Sequence, residues 1–222
     1  MISETLGANR RLLPPAAAAA LGFVLLTVAD WHRQSPLAID ARWTADLVNQ
    51  PATNWFRFGE DISFIGSGGV VVVIAVVAAA LLWRSRRQLV GSVMVLAAAV
   101  GGGASEVIAK KLIERPRPLT MTFTGESGFG FPSGHTTGFT AVVVAIALAL
   151  GLADGLKARW WHWAIVAAAS VAVAVARVDV GAHYVFDVLA GLLLGTLVAI
   201  IARVLAPVVT PLIEQRVPAR WR

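Results

Sequence analysis

The stretch GFGFPSGHTTGF, Gly128 to Phe139, places Pro132, Ser133, Gly134 and His135 at the head of an apolar run that meets no acidic or basic residue until Asp154. That is long enough for the ~20 residues a helix needs to cross a hydrocarbon core. A polar loop ending in histidine therefore opens directly onto a membrane helix. Other charge-free runs occupy Leu12–Ala29, Ile62–Trp83, Gln88–Ser105 and Trp160–Ala176. A last one starts near His183 and passes through VLAGLLLGTLVAIIA to Arg203, whose long side chain can reach the interface. Of 222 residues, 57% are hydrophobic and 14% charged, against roughly 25% charged in soluble domains. The expected fold is all-α: an integral-membrane bundle of six transmembrane helices forming one domain over 1–222.

Most of the eight tryptophans stand near the proposed span ends, where amphipathic rings prefer the headgroup layer. Pro14 and Pro15 fit the opening turn of the first helix. With six spans both termini share one side, and that side carries Arg10, Arg11, Arg84, Arg86, Arg87, Lys157, Arg159 and the tail arginines. The excess of cations places it in the cytoplasm, most simply of a bacterial plasma membrane. The net charge of +6 is spread among loops rather than along a recognition helix, which argues against a nucleic-acid partner. The absence of cysteine excludes disulfides, thiol catalysis and thiolate metal sites. The 31–61 connection mixes apolar residues with Arg33, Asp40, Arg42, Asp46, Arg57, Glu60 and Asp61, and reads as helix lying along the outer interface.

Three polar clusters depart from span logic, and the topology puts all three on the extracytoplasmic side. The first, KKLIERPRP from Lys110 to Pro118, lies where the third span leaves the bilayer; Lys111 and Arg115 read as helix anchors, and Glu106 as an i,i+4 partner of Lys110. The second is Ser133–Gly134–His135, just before a helix whose free amide groups form an anion site. Gly134 allows close backbone approach to an oxyanion, and Ser133 either donates a hydroxyl or caps the helix. The third, ARVDVGAHYVFDVLAG from Ala176 to Gly191, supplies Arg177, His183 and Asp187. Asp187 lies four residues after His183, so a helix begun by His183 would bring carboxylate and imidazole onto one face. Asp179 is left unassigned between tuning substrate choice and solvating the turn, and His32 and His162, beside tryptophans, read as interfacial.

These motifs resemble those of the type 2 phosphatidic acid phosphatase superfamily of integral-membrane lipid phosphatases. Its first motif is matched by Lys110, Arg117 and Pro118, its second by Pro132, Ser133, Gly134 and His135, and its third by Arg177, His183 and Asp187, with Ala176 where the family has serine. The resemblance implies an active site formed by extracytoplasmic loops and a catalytic set of His183, His135 and Asp187. His183 is then the nucleophile that forms a phosphohistidine, Asp187 its orienting carboxylate, and His135 the acid for the leaving oxygen. Lys110, Arg117, Ser133, Gly134 and Arg177 bind the phosphate oxygens, with no metal and no cofactor. The implied substrate is a membrane lipid phosphate, first undecaprenyl pyrophosphate recycled for cell-wall synthesis. Phosphatidylglycerol phosphate or phosphatidic acid is the alternative, and a non-catalytic phospholipid binder or transporter the reading from a different class.

Overall fold

The computed structural model describes residues 9–31, 36–86, 88–151 and 160–215. His32, Arg33, Arg87, Lys157, Arg159, Trp221 and the tail arginines lie outside them, so the charge bias that orients the chain is only partly visible. The described residues contain helices and no strand: α1 (Leu13–Asp30), α2 (Ala38–Leu47), α3 (Asn54–Ile65), α4 (Gly68–Arg86), α5 (Leu89–Ile113), α6 (Gly134–Ala149), α7 (Trp160–Asp179) and α8 (Val185–Glu214), with 3-10 turns at Arg10–Leu12 and Leu119–Phe123. Pro14 and Pro15 open α1 as their missing amide hydrogens favour.

Among the described residues four helices are long and apolar enough to cross a membrane: Arg10–Ala29, Leu89–Ile113, Trp161–Asp179 and Val185–Ile213. A fifth candidate is the pair α3–α4, bent by 47° at its break. The remaining expected span, α6, has only 16 residues, because the loop before it stays irregular up to Ser133. The 31–61 connection is helical as expected, but it forms two helices that pack against the bundle. Exposed Trp55, Phe58 and Phe64 leave an apolar face on α3, while Phe56 and Ser63 are buried.

The short α6 lies at the centre of the bundle. Its residues from Thr136 to Leu148 are buried almost continuously, and it packs chiefly against α5 and α8. Small residues make this possible: a Cβ on Gly195 of α8 would lie 2.5 Å from the Thr137 carbonyl oxygen, and one on Gly191 would lie 3.0 Å from that of Ser133. Close backbone approach of this kind is how helices associate where hydrocarbon removes the usual hydrophobic drive. In the GGGA run of α5, Gly101 and Gly102 pack closely against α8 and α6, as their size suggests. Gly103 instead faces open space and lines a cavity. The outer surface of α1 exposes Leu21, Val24, Leu25 and Val28, an apolar face suited to lipid.

Candidate active site

The sequence-derived polar residues converge at one end of α5, α6, α7 and α8. Helix α5 stops where Glu114 adopts a left-handed conformation, φ 54°, and Pro116 follows; a left-handed residue ends a helix and a proline prevents its resumption. Lys110 occupies the last turn of α5, and its Nζ lies 2.8 Å from Glu106 Oε2, the expected i,i+4 ion pair. Beyond the stop, Arg117 turns towards the α7–α8 connection. Its Nη1 donates to the Ala182 carbonyl at 2.9 Å and stands 3.0 Å from His183 Nε2.

That last contact fixes the state of the imidazole. A guanidinium has donors and no acceptor, so Nε2 accepts and carries a lone pair, and the ring proton belongs on Nδ1. Nδ1 lies 3.2 Å from Asp187 Oδ2. The expectation that His183 and Asp187 share a helix face is met in contact but not in its cause. His183 precedes α8, whose N-cap is Tyr184, and Asp187 folds back over the helix start to accept the Tyr184 amide at 3.0 Å. Burial first, then the charges of Arg117 and Arg177, push the His183 imidazolium well below its ordinary pKa of 6.5. The buried ring is therefore neutral at neutral pH.

His135 begins α6, one residue past its N-terminal Gly134. It lines a cavity of about 320 Å³ together with Glu106, Lys110, Arg117, Glu126, Gly134 and His183. Gly134 has a second reason to lack a side chain: a Cβ there would lie 2.5 Å from Glu106 Oε2. Ser133 is the N-cap residue of α6 but makes no side-chain cap, so the capping alternative is not formed. Its hydroxyl is buried and accepts from Thr136 Oγ1 at 3.2 Å. Ser133, Arg177 and Asp187 stand behind the cavity wall rather than on it.

The structure adds residues that motif reading missed. Glu126, on the loop before PSGH, bridges Arg117 Nη1 at 2.8 Å and Arg177 Nη2. Burial works against this carboxylate, but Arg177 and Arg117 outweigh it and hold its carboxyl below the usual value of 4.5. Arg177 also donates to Ser63 Oγ on α3 at 2.6 Å, so a hydroxyl reaches this arginine from elsewhere although Ala176 carries none. Arg115 is no interfacial anchor. It is 1% exposed and joins Asp187 to Asp40 of α2, both at 2.5 Å. Asp179 accepts from the Asn49 side chain and through its carbonyl from the Asn49 amide at 2.9 Å, which ties the outer connection to the end of α7. Among the described residues no group of three or more His, Cys, Asp or Glu side chains is placed to hold a metal ion.

A bundle of apolar helices with two histidines, Lys110 and Arg117 around one cavity has the parts of a phosphoryl-handling membrane protein. The sequence profile of the PAP2 superfamily matches residues 90–210, and the chain belongs to that superfamily. It is thus a phosphoric ester hydrolase of the type 2 phosphatidic acid phosphatase kind and an integral membrane protein. Among solved structures it is similar to the transmembrane PAP2 type phosphatidylglycerolphosphate phosphatase of Bacillus subtilis, with TM-score 0.68 and 23% identity over 92% of this chain and 98% of that one. It is also similar to LpxE of Aquifex aeolicus, with TM-score 0.56 and 18% identity over 75% of this chain and 95% of that one. At these identities the likeness concerns the fold. No curated protein matches the sequence at a significant level.

Proposed function

We propose that the chain is a single-domain, metal-independent lipid phosphatase that works through a phosphohistidine on His183. The carrying observation is the arrangement of that ring, with Nδ1 facing Asp187 and a lone pair on Nε2 beside Arg117 at the cavity wall. Nε2 attacks phosphorus, forming an N–P bond as the bond to the leaving oxygen breaks, while His135 gives that oxygen a proton. Asp187 stabilises the positive charge that develops on the imidazole. Water then attacks phosphorus and loses a proton to His135, the N–P bond breaks with its electrons returning to Nε2, and phosphate departs. The net change is one water consumed and one phosphate released, with both histidines restored.

Arg117 and Lys110 at the cavity wall supply the charges that stabilise the equatorial oxygens, and Arg177 joins them as Glu126 leaves. The Gly134 amide assists, with the Ser133 hydroxyl behind it turning from Thr136 to the phosphate. The Glu126 carboxylate supports the reading because it already sits as an anion between the two arginines. Substrate phosphate takes its place, and the negative charge of that phosphate holds a proton on His135.

With six spans, both termini are cytoplasmic and the catalytic end faces out of a bacterial plasma membrane, its loops meeting a lipid whose tail remains in the bilayer. The first substrate is undecaprenyl pyrophosphate, whose simple head group suits a site without a dedicated head-group domain. Phosphatidylglycerol phosphate is the second reading, favoured by the fold shared over nearly the full length of a phosphatase named for that lipid. Phosphate release from both lipids and from phosphatidic acid, by detergent-purified protein in excess chelator with His183→Ala as control, tests the proposal. Faster release from the pyrophosphate supports carrier-lipid recycling, and faster release from either glycerolipid supports the second reading. Release from none returns the chain to lipid binding or transport.

A further inference from the structure

The phosphohistidine reading makes Asp187 the partner of the nucleophile, and two residues outside that mechanism hold Asp187 in place. Its Oδ1 lies 2.5 Å from Arg115 Nη1, which leaves Oδ2 for His183 Nδ1 and the Tyr184 amide. Arg115 is itself confined. Its Nη2 lies 2.5 Å from Asp40 Oδ2, and its Cζ lies 4.7 Å from the centre of the Tyr184 ring. The other Asp40 oxygen accepts the Phe186 amide at 3.0 Å, and Thr44, one turn along α2, accepts the Val185 amide at 3.1 Å. Helix α2 thus satisfies the first two free amides of α8, which have no partner within their own helix. The side chains of Arg115, Asp40 and Asp187 are at most 1% exposed.

An Asp–Arg–Asp triad sealed from water is an expensive way to stabilise a fold, since burying charge generally costs more than well-packed apolar residues would. A reacting imidazole gives it a use. We infer that Arg115 and Asp40 are positioning residues: they clamp Asp187 so that one oxygen points at His183 Nδ1, and they set the charge that the imidazole feels through it. The inference rests on the phosphohistidine reading. It also extends the working site to α2, which lies outside the residues matched to the superfamily.

The charge part gives a directional test. Around His183 stand Asp187 on α8, Arg117 and Glu126 from the loops, Arg177 on α7, Lys110 and Glu106 on α5 and His135 on α6. Arg115 and Asp40 add one positive and one negative charge just behind Asp187. Removing the positive charge in Arg115→Gln makes the surroundings more negative and His183 more basic, so the acid limb of kcat moves to higher pH. Removing the negative charge in Asp40→Asn moves it to lower pH. Each shift is about half a unit or more.

The experiment measures kcat against pH with undecaprenyl pyrophosphate and with phosphatidylglycerol phosphate, for wild type, Asp40→Asn, Arg115→Gln and Arg115→Lys, alongside affinity for inorganic phosphate. Both charge-removing variants are expected to lose roughly 10–100-fold in kcat, the range seen for partners that orient metal-bound imidazoles. Affinity for inorganic phosphate, which needs no bond to His183, stays unchanged because the cations lining the cavity are untouched, and Arg115→Lys brings the limb back to its wild-type position. Folded variants whose limbs do not move overturn the inference, even if activity falls. Should Arg115→Gln fail to fold, Asp40→Asn decides alone, since it is isosteric and keeps its acceptor for the Phe186 amide. Wild-type protein that releases phosphate from neither lipid nor from phosphatidic acid overturns the underlying phosphatase reading instead, a result separable from unmoved limbs in an active enzyme.

Discussion

Replacing Glu126 by glutamine should tighten the binding of phosphate-like anions. In the resting protein this carboxylate bridges Arg117 and Arg177, so an incoming oxyanion must displace it before both arginines are free. A hydrogen bond to a charged group contributes about 1.5–3 kcal/mol, against about 1 kcal/mol for a neutral pair. Two such bonds losing the carboxylate's charge lower the cost of displacement by about 1–4 kcal/mol. That corresponds to roughly 5- to 1,000-fold tighter binding. Orthovanadate, which adopts the five-coordinate geometry of phosphoryl transfer, is the suitable probe, and calorimetric titration of detergent-purified wild type and Glu126→Gln reads the difference directly. The variant's KM should fall with kcat little changed. Equal or weaker vanadate binding by the folded variant would refute the reasoning and make Glu126 a brace that orients the arginines.

Other consequences follow from the same geometry. Because His183 is held neutral well below 6.5, kcat/KM should persist as pH falls through 6.5 and decline only at lower pH; a limb at or above 6.5 contradicts the buried, cation-flanked ring. The linked stability effect has a fixed sign: below 6.5 the unfolded chain takes up a proton that native His183 refuses, so Tm should drop over that window, and His183→Gln should lessen the drop. Gly195→Val places a Cβ 2.5 Å from the Thr137 carbonyl oxygen; by the usual cost of overpacking it should destabilise by about 1–3 kcal/mol, seen as a lower Tm in detergent. Gly134→Ala forces the Glu106 carboxylate away from its present place and should lower kcat/KM through Lys110, whereas Gly103→Ala, which faces open space, should be far milder.

The three motif clusters were legible because each carries residues that a membrane helix end has no ordinary reason to contain: two histidines, an i,i+4 acid and cations beside a glycine. Their convergence followed from topology alone. Glu126 was not legible, since an acid in a Gly, Ser and Thr loop reads as a solvated turn, and only the fold shows that it lies between Arg117 and Arg177. Arg115 was hidden among neighbours that suit interfacial anchoring, and its two acids lie 75 and 72 residues away in the chain. No periodicity in the 31–61 connection announces that Asp40 and Thr44 meet the start of α8, because that register is set by tertiary packing. Composition marked the apolar helices well but not their exact bounds. The short α6 and the bend between α3 and α4 depend on where the loops dock, which hydropathy does not record.

In the proposed mechanism His183 carries the phosphoryl group. Rapid quenching of wild type and His135→Ala with labelled phosphatidylglycerol phosphate or β-labelled undecaprenyl pyrophosphate, both in excess chelator, followed by peptide mapping, tests it most directly. An acid-labile phosphohistidine at His183 is expected in the wild type, formed more slowly when His135 is absent and never in His183→Ala. Phosphate release by the wild type with no label on His183, or label retained in His183→Ala, would contradict it.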